Sequence, residues 1–277
     1  MGRPYAEVIG DPIDHSKSPL IHSFWLEKLG LQGEYRRRRV RRGELAAYLK
    51  ESCRDPWWRG CSVAAPLKQE AAAAANDPTG VCARIGAANA IFRSPLGCGV
   101  GANTDVIGIA EALGAHPAPA ASVCIIGAGG AARAVLEFLR VRGIGQLTVI
   151  AREPAKGRNL LAAANMPDRV ESFDQAADAL SGAEWVINAS PLGQIGMPPM
   201  PETILRALDR TRDDAVVFDV VYAPPETELL REARRTGRRT VDGLAMLVGQ
   251  AATAFELFFG RAAPREHDPE LRERLTS

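Results

Sequence analysis

The chain has 277 residues and a formal net charge of +1, and 46% of its residues are hydrophobic. This is the composition of an ordinary globular protein, long enough for one large or two modest domains. A charge so close to zero argues against a general affinity for nucleic acid or for a membrane surface. The N-terminal sequence lacks the apolar core of a signal peptide, so we expect a cytoplasmic protein.

Five cysteines are scattered along the chain without CxxC spacing: Cys53, Cys61, Cys82, Cys98 and Cys124. This arrangement predicts neither a metal site nor a disulfide, and it is typical of a reducing compartment. We therefore expect the cysteines to stay reduced.

The N-terminal part of the chain predicts a strand at Tyr5–Gly10 and a helix that begins at Pro19. The polar loop between them carries Ser16 and Ser18. Two serines before a helix fit an N-cap as well as a binding loop, and the sequence leaves both interpretations open. A run of arginines between Tyr35 and Arg42 follows, flanked by glutamates, and predicts a solvated edge strand rather than a nucleic-acid surface.

Three polar residues stand among small apolar ones in the next hundred residues. Lys68 follows a predicted strand and a proline, and Asn89 and Asp105 lie in stretches rich in glycine and alanine. Such a lysine is normally a surface residue, and Gly, Asn and Asp form turns. The small neighbours also permit a cleft, so both interpretations remain.

The best-defined motif spans residues 122–152, where a strand, a glycine-rich turn, a helix and a second strand follow one another. The turn consists of Gly127, Ala128, Gly129, Gly130 and Ala131. Gly127 permits the tight turn, Gly129 lets the backbone approach a pyrophosphate, and the helix start offers free N–H groups. This context predicts dinucleotide binding; the alternative is a merely tight turn.

Basic residues dominate the end of the second strand, where an acidic residue would bind the ribose of NAD and arginine would bind the 2′-phosphate of NADP. Arg152, Lys156 and Arg158 outnumber Glu153 there, which favours NADP.

Polar residues also end later predicted strands, and ligands bind at the carboxyl ends of strands in open α/β sheets. Asn188 and Ser190 end one strand, and Tyr222 ends the next. Gly243 opens a helix to about Phe259.

Gln250 in that helix either pairs within the protein or faces a polar ligand. Residues from Arg261 onward are polar and predict a weakly ordered tail.

Taken in order, these segments resemble the shikimate dehydrogenase family over roughly Tyr5 to Gly260. The motifs are SKSP, AxPxK, GAxN, NTDxxG, GAGGAA, INAxPxG, DxxYxPxxTxLL and GxxMLxxQA. The resemblance implies an α/β fold with two domains and a cleft between them. Residues 1–107 with 243–277 would form the substrate-binding domain, and residues 108–242 an NADP-binding Rossmann-type domain with a parallel sheet.

The resemblance also implies roles for individual residues. Lys68 and Asp105 would be the catalytic pair, and no metal is expected. The predicted substrate contacts are Ser16, Ser18, Asn89, Asp105, Tyr222 and Gln250. The predicted cofactor contacts combine the glycine turn with basic and strand-end residues described above. They are Gly127, Ala128, Gly129, Gly130, Ala131, Arg152, Lys156, Asn188, Ser190 and Gly243.

Three motifs depart from the pattern of the family. Ala64 stands where NVTxPxK has threonine, Ala90 where GAxNT has threonine, and Glu153 where NRT has threonine. The first two leave the substrate open, and the third leaves NAD possible.

The implied activity is reversible NADPH-dependent reduction of 3-dehydroshikimate to shikimate, a step of aromatic amino acid biosynthesis. One alternative is a paralogue that acts on quinate or another cyclic hydroxy acid with NAD or NADP. Another is a non-catalytic, ligand-binding regulatory relative. In each case the expected partners are small molecules, with no nucleic acid or membrane, and the protein would be a monomer or a homodimer.

Overall fold

A computed structural model describes residues 2–114, 117–166 and 169–277. The strands are β1 (Tyr5–Gly10), β2 (Glu34–Arg39), β3 (Trp58–Val63), β4 (Ala90–Ser94), β5 (Gly97–Ala102), β6 (Ser122–Ile126), β7 (Gln146–Ile150), β8 (Val170–Glu171), β9 (Trp185–Asn188), β10 (Val216–Asp219) and β11 (Arg239–Val241). The α-helices are α1 (Ser18–Lys28), α2 (Leu45–Ser52), α3 (Lys68–Ala74), α4 (Val81–Ile85), α5 (Asp105–Leu113), α6 (Gly130–Val141), α7 (Pro154–Ala163), α8 (Ala176–Ala179), α9 (Glu202–Ala207), α10 (Glu228–Arg235), α11 (Gly243–Phe259) and α12 (Asp268–Thr276).

The chain divides into two compact units. One comprises Met1–Ile107 with Val248–Ser277, and the other comprises Gly108–Leu247. The division falls within α11, whereas the sequence predicts a boundary just before that helix.

The described strands of the first unit form a five-stranded sheet in the order β2-β1-β3-β4-β5. β1 runs parallel to β2 and β3, and β4 runs antiparallel to β3 and β5. The arginine-rich strand β2 lies at the edge, which confirms its interpretation. Three of its four arginines pair with carboxylates: Arg36 with Glu34, Arg38 with Glu51 and Arg39 with Asp11.

The described strands of the second unit form a six-stranded parallel sheet in the order β11-β10-β9-β6-β7-β8. Counted within the unit this is 6-5-4-1-2-3, the order of a doubly wound Rossmann sheet. The α/β fold class with a Rossmann-type parallel sheet is therefore confirmed. The strand order reverses between β6 and β9, and ligands bind at such a switch point, beyond the carboxyl ends of the strands.

Helix α6 begins directly after the glycine turn. Its apolar residues lie on one face at helical spacing, which is the pattern of a helix that packs against a core. Val135, Leu136 and Leu139 are buried, and Gly143 follows the helix with φ +72°. A residue with positive φ stops a helix, and glycine adopts this conformation at little cost.

The prediction of a weakly ordered C-terminal tail was wrong. Residues 268–276 form α12, and Leu271 and Leu275, one turn apart, are fully buried. Lys28 on α1 pairs with Glu270 at 2.6 Å. The high polarity of the segment reflects its exposed face and ion pairs, while two leucines at i, i+4 are enough to anchor a short helix.

The expectation that no disulfide forms was also wrong. Cys53 at the end of α2 is bonded to Cys98 in β5, with Cα atoms 5.8 Å apart. The two cysteines are 45 residues apart in sequence. They come within bonding distance because the β4–β5 hairpin folds back beside α2. Among the described residues, the other cysteines are buried and free.

Candidate active site

Lys68 and Asp105 form a close ion pair in the first unit. Lys68 opens α3, Asp105 opens α5, and Lys68 Nζ lies 2.5 Å from Asp105 Oδ2. The carboxylate side chain is 6% exposed and the lysine side chain 21%. Removing two charges from water is costly, so a buried pair contributes little to stability and is a candidate for a functional role.

Asn89 holds the second oxygen of that carboxylate. Its Nδ2 donates to Asp105 Oδ1 and to Thr104 Oγ1, both at 2.9 Å. Its Oδ1 accepts from the Thr104 backbone N–H at 2.6 Å. Asn89 thus makes hydrogen bonds through both its NH₂ and its oxygen, and these bonds fix where the Asp105 carboxylate lies.

The β4–β5 hairpin brings these groups together. Asn89 directly precedes β4, and Asn103 and Thr104 follow β5 at the same end of the hairpin. The sequence allowed the stretches around Asn89 and Asp105 to be read as two turns, and this interpretation missed the hairpin between them. Thr104 was not predicted to belong to the site.

Gln250 of α11 reaches this cluster. Its Oε1 lies 3.4 Å from Asn89 Nδ2 and 3.4 Å from Thr104 Oγ1. These long contacts place the amide at the edge of the cluster. Four of the residues predicted to act on substrate are thus brought together: Lys68, Asn89, Asp105 and Gln250.

The serine loop is held by contacts other than a helix cap. Lys17 occupies the N-cap position of α1, and no side chain in the described part of the chain caps this helix. Ser16 Oγ accepts from the Ser18 backbone N–H at 3.3 Å, and Arg37 donates to the Ser16 carbonyl at 2.7 Å. The capping interpretation therefore loses its support.

The glycine turn in the second unit has the form that a pyrophosphate needs. Gly127 has φ +106°, and a Cβ there would lie 2.8 Å from the Cβ of Ser190, so only glycine fits. Gly129 is the N-cap of α6, and a Cβ there would meet no described atom within 4 Å. Ser190 therefore packs against the turn at Gly127, while the space beside Gly129 is free of described protein atoms. This arrangement fits a dinucleotide bound at the helix N-terminus.

The side chains after β7 form their own ion pair. Lys156 Nζ lies 2.7 Å from Glu153 Oε1, and this contact lowers the pKa of Glu153. Arg152 is exposed. Lys156 therefore balances the charge of Glu153, which reduces the repulsion that Glu153 would exert on a phosphate beside Arg152.

Two predicted cofactor contacts have structural roles that the sequence did not reveal. Asn188 is fully buried, and its Oδ1 accepts from the Ser190 backbone at 3.0 Å and from Ser190 Oγ at 2.6 Å. At Gly243 a Cβ would lie 2.5 Å from the Val220 carbonyl and 2.6 Å from the Val221 carbonyl. Glycine at 243 thus lets the start of α11 approach the end of β10.

Tyr222 lies in the second unit, three residues beyond β10, and is half-buried. In the described ranges, no group of three or more His, Cys, Asp or Glu side chains could hold a metal ion. No described helix has the length and apolar character needed to cross a membrane.

Comparison with known sequences identifies the family. The chain matches the profile of the shikimate dehydrogenase substrate binding domain over residues 8–91 and that of the shikimate 5′-dehydrogenase C-terminal domain over residues 243–267. It is 46% identical over 274 residues to a shikimate dehydrogenase (NADP(+)) of Sphingopyxis alaskensis, covering 99% of this chain and 97% of the relative. The chain belongs to the shikimate dehydrogenase family. The resemblance inferred from its motifs is confirmed.

Solved structures of family members have the same fold over nearly their whole length. Shikimate 5-dehydrogenase from Thermus thermophilus, in complex with NADP(H) and shikimate, is 32% identical with a TM-score of 0.82, covering 98% of this chain and 99% of that one. Quinate dehydrogenase from Corynebacterium glutamicum, in complex with NAD, is 28% identical with a TM-score of 0.84, covering the same shares. The fold therefore does not separate these two activities.

Proposed function

We propose that this member of the shikimate dehydrogenase family catalyses the reversible NADPH-dependent reduction of 3-dehydroshikimate to shikimate. The observation that carries the proposal is the Lys68–Asp105 pair at 2.5 Å, held by Asn89. The 46% identical relative from Sphingopyxis alaskensis, a shikimate dehydrogenase (NADP(+)), supports the same substrate and cofactor.

Lys68 has the chemistry that reduction of a ketone requires. When bound, NADPH supplies the hydride. The ketone oxygen gains negative charge during the reaction, and a cationic proton donor in contact with it stabilises the transition state. The ammonium of Lys68 has three N–H donors, of which one is used by Asp105. Asp105 orients the ammonium, and Asn89 in turn orients Asp105.

The residues present fit NADP in the second unit. Gly127 allows the tight turn, and Gly129 leaves space for a pyrophosphate at the N-terminus of α6, where the helix dipole favours an anion. Arg152 would bind the 2′-phosphate, for which a guanidinium is well suited because it donates two parallel hydrogen bonds. The assignment of residues 1–107 and 243–277 to substrate and of 108–242 to cofactor stays a prediction.

Arg152→Ala should weaken binding of NADP at least tenfold and leave binding of NAD nearly unchanged. A charged hydrogen bond contributes about 1.5–3 kcal/mol, and only NADP carries the phosphate that Arg152 would bind. Dissociation constants from fluorescence titration measure this. Arg206→Ala, a change at an exposed arginine on α9, is the control. Equal losses for both cofactors would mean that Arg152 does not bind the phosphate.

Changing both Ser16 and Ser18 to alanine should raise the KM for shikimate at least tenfold, with little change in Tm. Hydroxyl groups that bind a carboxylate contribute about 1.5–3 kcal/mol each. Initial rates at saturating NADP and thermal unfolding are the measurements, with Ser181→Ala, at an exposed serine, as the control. A lower Tm at constant KM would assign these serines to the stability of the loop instead.

Oxidation of quinate is a second candidate, supported by the similarity to the quinate dehydrogenase structure. Of the two alanine departures, Ala90 is fully buried in the same apolar cluster as Ala6 and Val8. Ala64 is half-buried, so of the two it is the one that a ligand could contact. A regulatory, non-catalytic role is disfavoured by the intact Lys68–Asp105 pair.

The direct test is reduction of 3-dehydroshikimate by the purified protein, followed as loss of NADPH absorbance. Turnover is expected with NADPH; its absence with NADPH and NADH would overturn the proposal. A cytoplasmic location and a monomeric or homodimeric state stay predictions.

A further inference from the structure

Asp219 is a buried carboxylate to which the proposed function assigns no role. It ends β10 in the second unit and is fully buried. Burial raises its pKa to about 6. A folded-state pKa above the unfolded value means that the folded protein loses stability as pH rises from about 4 to 6. At neutral pH Asp219 is therefore ionised although it is buried, and its contacts show what the charge does.

Every contact of the Asp219 carboxylate is with a donor. Oδ1 accepts from Asn188 Nδ2 at 2.8 Å and from the Val221 backbone N–H at 3.0 Å, and Oδ2 accepts from Thr227 Oγ1 at 2.7 Å. An ionised carboxylate can only accept hydrogen bonds. It therefore obliges Asn188 to present its NH₂ to Asp219, and the Asn188 oxygen is left for another partner.

That partner is Ser190, which packs behind the glycine turn. The Asn188 oxygen accepts from the backbone N–H and from the hydroxyl of Ser190. Ser190 is the residue that approaches Gly127 so closely that a Cβ would not fit. Because β10, β9 and β6 are neighbours in the sheet, hydrogen bonds run along its carboxyl edge from Asp219 to Ser190, against the turn.

We propose that Asp219 is a positioning residue for the cofactor: by fixing the orientation of the Asn188 amide, it holds Ser190 against the glycine turn. The inference rests on the proposed function, since it takes that turn as the pyrophosphate site. Val221 donates its backbone N–H to the same Oδ1 atom as Asn188, so an asparagine at 219 keeps its oxygen toward both donors and turns its NH₂ to the Thr227 hydroxyl. An alanine at 219 removes the acceptor, and Asn188 can then reverse and direct its NH₂ at Ser190, whose two donors already point there.

The test compares Asp219→Ala, the conservative change Asp219→Asn, Ser190→Ala, and the double variant with alanine at both positions, with Asp214→Asn as control. Asp214 is an exposed aspartate of the same unit that pairs with Arg212. For each protein the Kd for NADPH is measured by fluorescence titration without substrate, kcat at saturating cofactor, and Tm without ligand.

We expect Asp219→Ala to raise the Kd for NADPH about tenfold and to leave kcat at saturating cofactor within about threefold. Asp219→Asn should bind NADPH as the wild type does, because its oxygen keeps the hydrogen bond from Asn188. The double variant should bind no worse than the weaker single variant, because both changes remove the same contact. The control should bind as the wild type does.

A wild-type Kd for Asp219→Ala or for Ser190→Ala would overturn the inference, whatever the Tm of the variant. So would Kd losses that multiply in the double variant, because Asp219 would then not act through Ser190. Wild-type protein that binds NADPH without reducing 3-dehydroshikimate would contradict the proposed function alone, since the positioning role is decided by Kd. Failure of the wild type to bind NADPH would overturn both.

Discussion

Replacing Lys68 with alanine should lower kcat by about 10²–10⁴-fold while leaving the fold intact, since a positioned general acid contributes about that much. The factor corresponds to about 3–5 kcal/mol of transition-state stabilisation. The variant should fold because Lys68 lies at the start of α3 with a partly exposed side chain, and because Asn89 still holds Asp105.

The measurement for Lys68→Ala is the rate of shikimate oxidation at saturating NADP, together with circular dichroism. Lys50→Ala, at an exposed lysine on α2, is the matched control and should keep wild-type turnover. A natively folded Lys68→Ala protein with more than about a tenth of wild-type kcat would remove Lys68 from the chemistry.

Alanine at Gly129 should weaken binding of NADPH at least tenfold without lowering Tm. The space in front of Gly129 is open among the described residues, so an added methyl group meets no atom of the protein but obstructs a pyrophosphate against the backbone. Alanine at Gly127 should lower both affinity and Tm, because φ +106° and the contact with Ser190 strain the folded chain itself, by about 1–3 kcal/mol.

Titration with NADPH and thermal unfolding of the ligand-free proteins separate these two effects. Gly145→Ala is the control, because Gly145 is also open to added atoms but lies at the far end of the βαβ unit. If Gly129→Ala bound NADPH as tightly as the control, the glycine turn would be structural only, and the cofactor site would lie elsewhere.

The Rossmann unit could be predicted from sequence because its signals are local. Apolar runs of strand length alternate with helical periodicity, and the glycine turn lies between the first two elements. The helix that begins at Gly243 was predicted to run to about Phe259, which is where the structure ends it.

The errors arose where distant segments meet. The Cys53–Cys98 bond depends on how a hairpin folds beside α2, and cysteine spacing does not contain that information. Helix α12 is polar on most of its surface, so its two buried leucines were too weak a signal against the composition of the tail.

The site was predictable as a set of motifs, but its geometry was not. Lys68 and Asp105 are 37 residues apart, and nothing in their spacing shows that they form an ion pair. The side chain of Asn188 is buried and holds Ser190, a contact that the position of Asn188 at a strand end does not reveal, and its predicted contact with the cofactor stays a prediction. Asp219 was part of a quoted motif without a role, because its partner Asn188 lies 31 residues away on another strand.

The most direct test of the central claim is a set of initial rates for the wild-type protein with shikimate and with quinate, each with NADP and with NAD. The account predicts that kcat/KM is highest for shikimate with NADP, by at least about tenfold over each of the other three pairs, a difference of about 1.4 kcal/mol. A higher kcat/KM for quinate, or for NAD with either acid, would contradict it.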